Sequence, residues 1–317
     1  MGHPNGHARG HPAANGSPAI SVKGLKKSYG SVEAVRGIDL EVARGEVFAM
    51  LGPNGAGKTT TVEILEGYRT ADAGEIRVLG YDPARRQRAL KERIGIVLQE
   101  TGIEPFLTVE EAVTLYRSYY PRPRPTEEIL ELVGLQEKRA SRVNKLSGGQ
   151  RRRLDVALGL AGDPEVLFLD EPTTGFDPSA RRNAWGLVKN LAALGKTVML
   201  TTHYMDEAQE LADRAAILVA GRIVAEGPPR TLAGSGPVMT RITFTLPPGA
   251  PAPPPAFGSV PASDGSHQIE TLDAMRAVHE LTGWAIGSGV ELSELAVAKP
   301  SLEEVYLQLT DGAVTKE

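Results

Sequence analysis

Gly52-Pro53-Asn54-Gly55-Ala56-Gly57-Lys58-Thr59-Thr60 follows the apolar run Val47-Phe-Ala-Met-Leu51 and opens a segment of helical character. Its spacing is G-x-x-x-x-G-K-[ST], in the strand, loop and helix setting that this motif requires. Glycines let the backbone curl so that successive N–H groups point inward, and the helix N-terminus adds partial positive charge. Such a loop cradles phosphates. The spacing places Lys58 at the β- and γ-phosphates and the Thr59 hydroxyl on Mg²⁺.

Outward from this loop, short apolar runs alternate with helix-like segments. Strands are expected at 19–23, 38–42, 47–51, 75–79, 94–98, 166–169, 197–201 and 215–219, several as continuous apolar runs suited to buried parallel strands. Helices are expected at 57–66, 108–119, 126–133, 149–160, 178–194 and 205–212. Thr108 and Glu111 have the spacing of a capping box. The pattern is α/β.

Val166-Leu-Phe-Leu-Asp170-Glu171 is an apolar strand ending in two carboxylates. Side chains alternate along a strand, so the two acids point differently and can take separate tasks. Asp170 is expected in the Mg²⁺ shell, and Glu171 is expected to orient or deprotonate an attacking water.

Leu146-Ser147-Gly148-Gly149-Gln150 begins a further helix, with Ser147 as its N-cap. In this order and company the run resembles the signature sequence of ATP-binding-cassette (ABC) ATPases, and the resemblance covers residues 19–227. It implies a RecA-like P-loop core with an antiparallel β part and a helical signature subdomain. It also implies ATP and Mg²⁺ as ligands and ATP hydrolysis as the activity. Tyr29 is similar to the aromatic residue that stacks on adenine, and Gln99 to a glutamine that ligates the metal and links it to a transport partner. Gly175-Phe176-Asp177 is similar to the D-loop, with phenylalanine where leucine is commoner, and His203 to the histidine that contacts the γ-phosphate. The nucleotide-contacting set is thus Tyr29, residues 52–60, Gln99, Ser147, Gly148, Gly149, Gln150 and Asp177. Thr59, Gln99 and Asp170 are expected around the metal, and Lys58, Glu171 and His203 in catalysis.

In the family, ATP lies between the P-loop of one cassette and the signature of another. This chain has one of each, so a two-fold homodimer is the expected working unit. The 317 residues divide, on this reading, into a tail at 1–18, an ATPase domain at 19–235 with its helical subdomain at about 101–162, and an accessory domain at 236–317. The accessory domain is a small α+β appendage. Its stretch 247–261 holds seven prolines and is expected to be extended. Around it come a strand at 240–246, a helix at 271–282, a strand at 290–295 and a last helix capped by Ser301 and Glu304. The sequence from Lys299 to Thr310 and the run Thr202–Ala208 resemble daunorubicin-resistance-type exporter ATPases, with lipid and polysaccharide exporters as relatives.

Composition narrows the rest. Lys and Arg number 35 against 39 Asp and Glu, a net charge of −4, which does not suit wholesale polyanion binding. Arg151-Arg152-Arg153 reads as a source of local ion pairs or nucleotide contacts, with no nucleic-acid partner expected. There is no cysteine for disulfides or thiolate chemistry. Apolar stretches fall short of the roughly 20 residues that cross a bilayer. The expectation is a peripheral protein on the cytoplasmic face of the membrane, reaching it through a polytopic permease subunit. The alternatives are a soluble cassette acting on ribosomes or DNA, a nucleotide-dependent regulator, and an importer subunit.

Overall fold

A computed structural model describes residues 16–97, 102–232, 240–261 and 266–298. The chain divides into two compact units, Met1–Glu226 and Gly227–Glu317.

The first unit runs β1 (Ile20–Tyr29), β2 (Val32–Val42), β3 (Val47–Leu51), α1 (Lys58–Leu65), β4 (Ala73–Val78), α2 (Arg88–Lys91) and β5 (Ile94–Val97). Then come α3 (Val109–Arg117), α4 (Thr126–Val133), α5 (Gly148–Gly159), β6 (Val166–Asp170), α6 (Pro178–Ala193), β7 (Thr197–Thr202), α7 (Met205–Leu211), β8 (Arg214–Val219) and β9 (Arg222–Gly227). A six-stranded sheet has the order β5-β6-β7-β3-β8-β9, and a three-stranded antiparallel sheet has the order β2-β1-β4. This is the RecA-like P-loop architecture with an antiparallel β part and a helical segment between β5 and β6.

Every residue of β3 is buried. It lies between β7 and β8 and pairs with both in parallel. Burial on both faces is what a strand without polar alternation requires, at roughly 1.5–3 kcal/mol for each large apolar side chain. Register then sets the site. Leu51 stands opposite Thr202, and Asp170 opposite Thr201. The C-terminal ends of β3, β6 and β7 therefore lie side by side, the edge at which open α/β sheets bind ligands.

The antiparallel sheet extends further than apolar patterning suggests. β1 continues through the polar Lys26-Lys27-Ser28 to Tyr29, with irregular register at three points along its pairing with β2. These bulges carry it past a segment that cannot be buried on both faces. In the helical segment, Thr108 and Glu111 form the expected capping box, each side chain meeting the other residue's backbone N–H.

The second unit begins with α8 (Pro229–Leu232), followed by β10 (Thr240–Thr245), β11 (Val260–Pro261), β12 (His267–Thr271), α9 (Ala274–Ser288) and β13 (Ser293–Ala298). Its sheet has the order β11-β12-β10-β13. Ile242, Phe244, Ile269 and Leu281 form its core, with Trp284 and Phe257 packed alongside. The expected helix starts later and runs longer than its sequence pattern, because Asp273 accepts a hydrogen bond from Arg276 N at its start and Gly283 and Gly287 are absorbed within it. The last helix with its Ser301 and Glu304 cap, the N-terminal tail as far as residue 15, and Gln99 lie outside the described residues. Among the described residues no helix is long and apolar enough to cross a membrane.

Candidate functional site

Two glycines fix the loop after β3. Gly57 has φ +101°, and a Cβ there would stand 2.3 Å from the Ala34 carbonyl oxygen. At Gly52 a Cβ would stand 2.4 Å from the Leu218 carbonyl oxygen. The loop is thus pressed onto two neighbouring strands and turns without side chains in the way. Lys58 opens α1 and is 5% exposed; its Nζ donates to Gly52 O at 2.8 Å and Pro53 O at 3.1 Å. Burial lowers its pKa, and the carboxylates of Glu171 and Asp170 work against that shift. A lysine in this state is a cation held in a small polar pocket, suited to an anionic ligand.

Asp170 and Glu171 diverge as alternation at a strand end requires. Asp170 Oδ2 lies 3.4 Å from Thr59 Oγ1, and its Oδ1 accepts from the Thr201 hydroxyl. Glu171 leaves the strand at φ +45°, a left-handed conformation that costs a non-glycine residue about 1–3 kcal/mol. Its N–H donates to Thr201 Oγ1 at 3.0 Å and Thr201 O at 3.2 Å, which hold the turn. The carboxylate is thereby aimed at three groups: Lys58 Nζ at 3.7 Å, His203 Nδ1 at 3.4 Å and Thr174 Oγ1, which donates at 3.0 Å.

Lys58, Thr59, Asp170, Glu171 and His203 therefore share one corner of the sheet. Asp170 and the Thr59 hydroxyl supply oxygen donors, and among the described residues no cluster of three or more metal-ligating side chains exists. That donor set fits Mg²⁺, which keeps few protein carboxylates and completes its shell with phosphate oxygens and water. Tyr29, 40% exposed, ends β1 with the Arg69 guanidinium 5.4 Å and the Lys27 ammonium 5.6 Å from its ring centroid.

The signature residues lie at the start of α5. Ser147 caps α5 and forms a capping box with Gln150: Gln150 N donates to Ser147 Oγ at 3.3 Å, and Ser147 N to Gln150 Oε1 at 3.0 Å. With Gly148, Gly149 and Asp177 they line a cavity of about 610 Å³ between α5 and α6, whose walls include no residue of the 52–60 loop. Asp177 itself caps α6, accepting from Ser179 N and Ala180 N.

Thr201 and Glu207, near this corner, escaped the sequence, and Arg152 does more than the local ion pair expected of it, which it makes with Asp155 at 3.8 Å. Arg152, 8% exposed, sends Nε to Pro172 O at 3.2 Å and Nη2 to Asp170 O at 3.1 Å, tying α5 to the turn that carries the carboxylates. Its flanking arginines look alike in sequence, and only burial distinguishes Arg152 from the exposed Arg151 beside it. Thr201 binds both acidic residues from the next strand, a contact only register reveals. Glu207 in α7 is fully buried, and burial raises its pKa against the opposing effect of the Thr202 and Thr173 hydroxyls and the Trp185 indole.

The profile described as "ABC transporter" matches residues 35–174, and a C-terminal profile of ABC transporter domain-containing proteins matches residues 240–301. Over 302 residues the chain is 39% identical to the daunorubicin resistance ATP-binding protein DrrA3 of Streptomyces coeruleorubidus, covering 92% of this chain and 96% of that one. The chain belongs to the ABC transporter family. The cassette is also 44% identical over 222 residues to the Nod factor export ATP-binding protein I of Paraburkholderia xenovorans, covering 68% of this chain and 73% of the relative. Among solved structures it matches the bacterial cassette MJ0796, described as dimeric, with TM-score 0.60, 27% identity, and coverage of 67% of this chain and 99% of that one. The cassette MJ1267 in its ADP conformation, 23% identical with TM-score 0.61 over 69% of this chain and 96% of that one, shares the fold. This cassette is accordingly an ATP-binding and ATP-hydrolysing one, with Mg²⁺ as the companion of its nucleotide.

Proposed function

We propose that this cassette is the ATPase subunit of a two-component exporter, closing as a homodimer around two ATP to drive a drug-like or other amphipathic compound through a separate polytopic membrane subunit. It would work at the cytoplasmic face, held to the membrane by that partner. The observation that supports the dimer is that the cavity of the signature and Asp177 is lined by no residue of the 52–60 loop. A nucleotide bound at Lys58 meets a signature only if a second copy supplies it, and two-fold symmetry completes both sites at once. The dimeric description of MJ0796 points the same way. Export is supported by the relatives, named for daunorubicin resistance and for Nod factor export.

In this reading residues 52–60 and Lys58 hold the phosphates, Tyr29 stacks on adenine, and Thr59, Asp170 and Gln99 hold Mg²⁺, which neutralises phosphate charge when bound. Glu171 orients the attacking water and takes its proton as the oxygen bonds to the γ-phosphorus and ADP departs. His203 contacts the γ-phosphate, and Ser147, Gly148, Gly149, Gln150 and Asp177 of the second copy cover it.

Affinity capture of the Glu171→Gln protein with ATP from detergent-solubilised membranes tests the reading. A polytopic protein of exporter type in the eluate is the expected result. Ribosomes or soluble proteins alone would remove the cassette from transport.

A further inference from the structure

Helices α6 and α7 are joined along a ladder. Arg181, Trp185 and Lys189, four residues apart on α6, form one helix face. Arg181 Nη1 donates to Asp206 at 3.1 Å, Trp185 Nε1 donates to Glu207 Oε1 at 3.1 Å, and Lys189 pairs with Glu210. The outer two rungs include well-exposed carboxylates and hold little on their own. The middle rung is different, because Glu207 is fully buried and lies in α7 one helical turn beyond His203. A second thread runs beside it. The Arg181 guanidinium lies 4.0 Å from the Tyr204 ring centroid, and the Tyr204 ring lies 4.0 Å from that of His203.

The ends of the two helices give this joint its meaning. Asp177 caps the start of α6, and His203 immediately precedes Tyr204, the cap residue of α7. Trp185 and Glu207 thus stand between the Asp177 end of α6 and the turn that carries His203. We propose that the Trp185–Glu207 contact is a positioning joint, locking the Asp177 end of α6 to the His203 loop so that the setting of one fixes the other. This rests on the site assignment above, in which Asp177 meets the second copy and His203 the γ-phosphate.

The test uses the full-length chain at 20 °C, with the folded fraction of each variant measured by circular dichroism. Trp185→Phe removes one N–H and keeps most of the ring packing. It should lower kcat for ATP roughly tenfold while KM stays within about twofold, the split expected when positioning rather than binding is lost. Glu207→Ala should fall as far, whereas Glu207→Gln, which keeps an acceptor for the indole, should stay within about threefold of wild type. Trp284→Phe in the second unit should leave turnover unchanged. In that background with Glu171→Gln, emission from Trp185, then the sole tryptophan, should shift saturably as ATP is added.

Normal kcat in Trp185→Phe alongside an inactive His203→Ala would overturn the joint and leave the site assignment standing. Normal turnover in both would overturn the two together. A raised KM, or a loss that follows the fraction unfolded, would reduce the contact to ordinary packing and overturn the joint, as would emission indifferent to ATP.

Discussion

Nδ1 of His203 stands 3.4 Å from Oε1 of Glu171, although the two leave the sheet from different strands. Parallel register between β6 and β7 brings them together, with Asp170 opposite Thr201. The same Glu171 oxygen lies 3.7 Å from Lys58 Nζ, so one carboxylate faces two groups assigned to the γ-phosphate. Replacing it with an amide keeps the shape and removes the base. Glu171→Gln should lower kcat by roughly 10²- to 10³-fold with ATP affinity changed only a few-fold. Single-turnover hydrolysis beside equilibrium nucleotide binding measures both, and wild-type turnover would end the role given to Glu171.

Thr201 makes the arrangement possible from below. Its hydroxyl donates to Asp170 Oδ1 and accepts from Glu171 N, which holds the left-handed turn at Glu171. Thr201→Val is nearly isosteric but leaves both partners short of a contact, at a cost of about 1–3 kcal/mol. Turnover should fall roughly tenfold and the Mg²⁺ concentration for half-maximal rate should rise, as expected if Asp170 is the metal-side acid. A Mg²⁺ titration of ATPase activity checks this. Unchanged half-saturation would detach Thr201 from the metal side.

The corner was legible as far as its parts are local. Gly52 to Thr60, Asp170 and Glu171 announce themselves because the chemistry demands fixed spacing along one strand and loop. Helices α3 to α6 were legible within a residue or two because caps such as Thr108, Ser147 and Asp177 are sequence-local. β9 was missed, since its apolar run is only the three residues Ile223-Val224-Ala225 and the strand is half exposed. β12 was missed for a similar reason, its stability coming from pairing with β10 rather than from its own pattern. Thr201 and Glu207 were invisible as functional residues, and so was the tie from Arg152 to Asp170 O, because the partners lie 18 to 31 positions away. Tertiary contact of that kind leaves no periodic mark.

Two glycines of one loop should respond differently to the same change. Gly57 combines φ +101° with a Cβ position 2.3 Å from the Ala34 carbonyl oxygen, whereas Gly55 has φ +82° with open space around it. Gly55→Ala should cost about 1 kcal/mol of unfolding free energy, the strain of a left-handed alanine. Gly57→Ala adds a collision with the β2 backbone at Ala34, and should cost at least roughly 3 kcal/mol. Urea denaturation without nucleotide compares them. Equal losses would mean that β2 and its Ala34 carbonyl yield freely.

Glu66, the C-cap of α1, carries a pH signature. Burial, then the negative charge of Asp170 and of Glu63, pushes its carboxyl up to about 8. Between the ordinary value of 4.5 and about 8, the folded chain keeps a proton that the unfolded chain has lost. The stability from this group is fully present below 4.5 and declines as pH rises through the window, by at most roughly 1.4 kcal/mol per pH unit. Glu66→Gln retains the size and cannot titrate. In buffer without nucleotide or Mg²⁺, where no cation offsets Asp170, the urea midpoint of the wild-type chain should fall more steeply from pH 5 to pH 8 than that of the variant. By pH 8 the variant should be the more stable of the two. Parallel profiles would show that Glu66 is already ionised in the folded chain, its charge compensated within the fold.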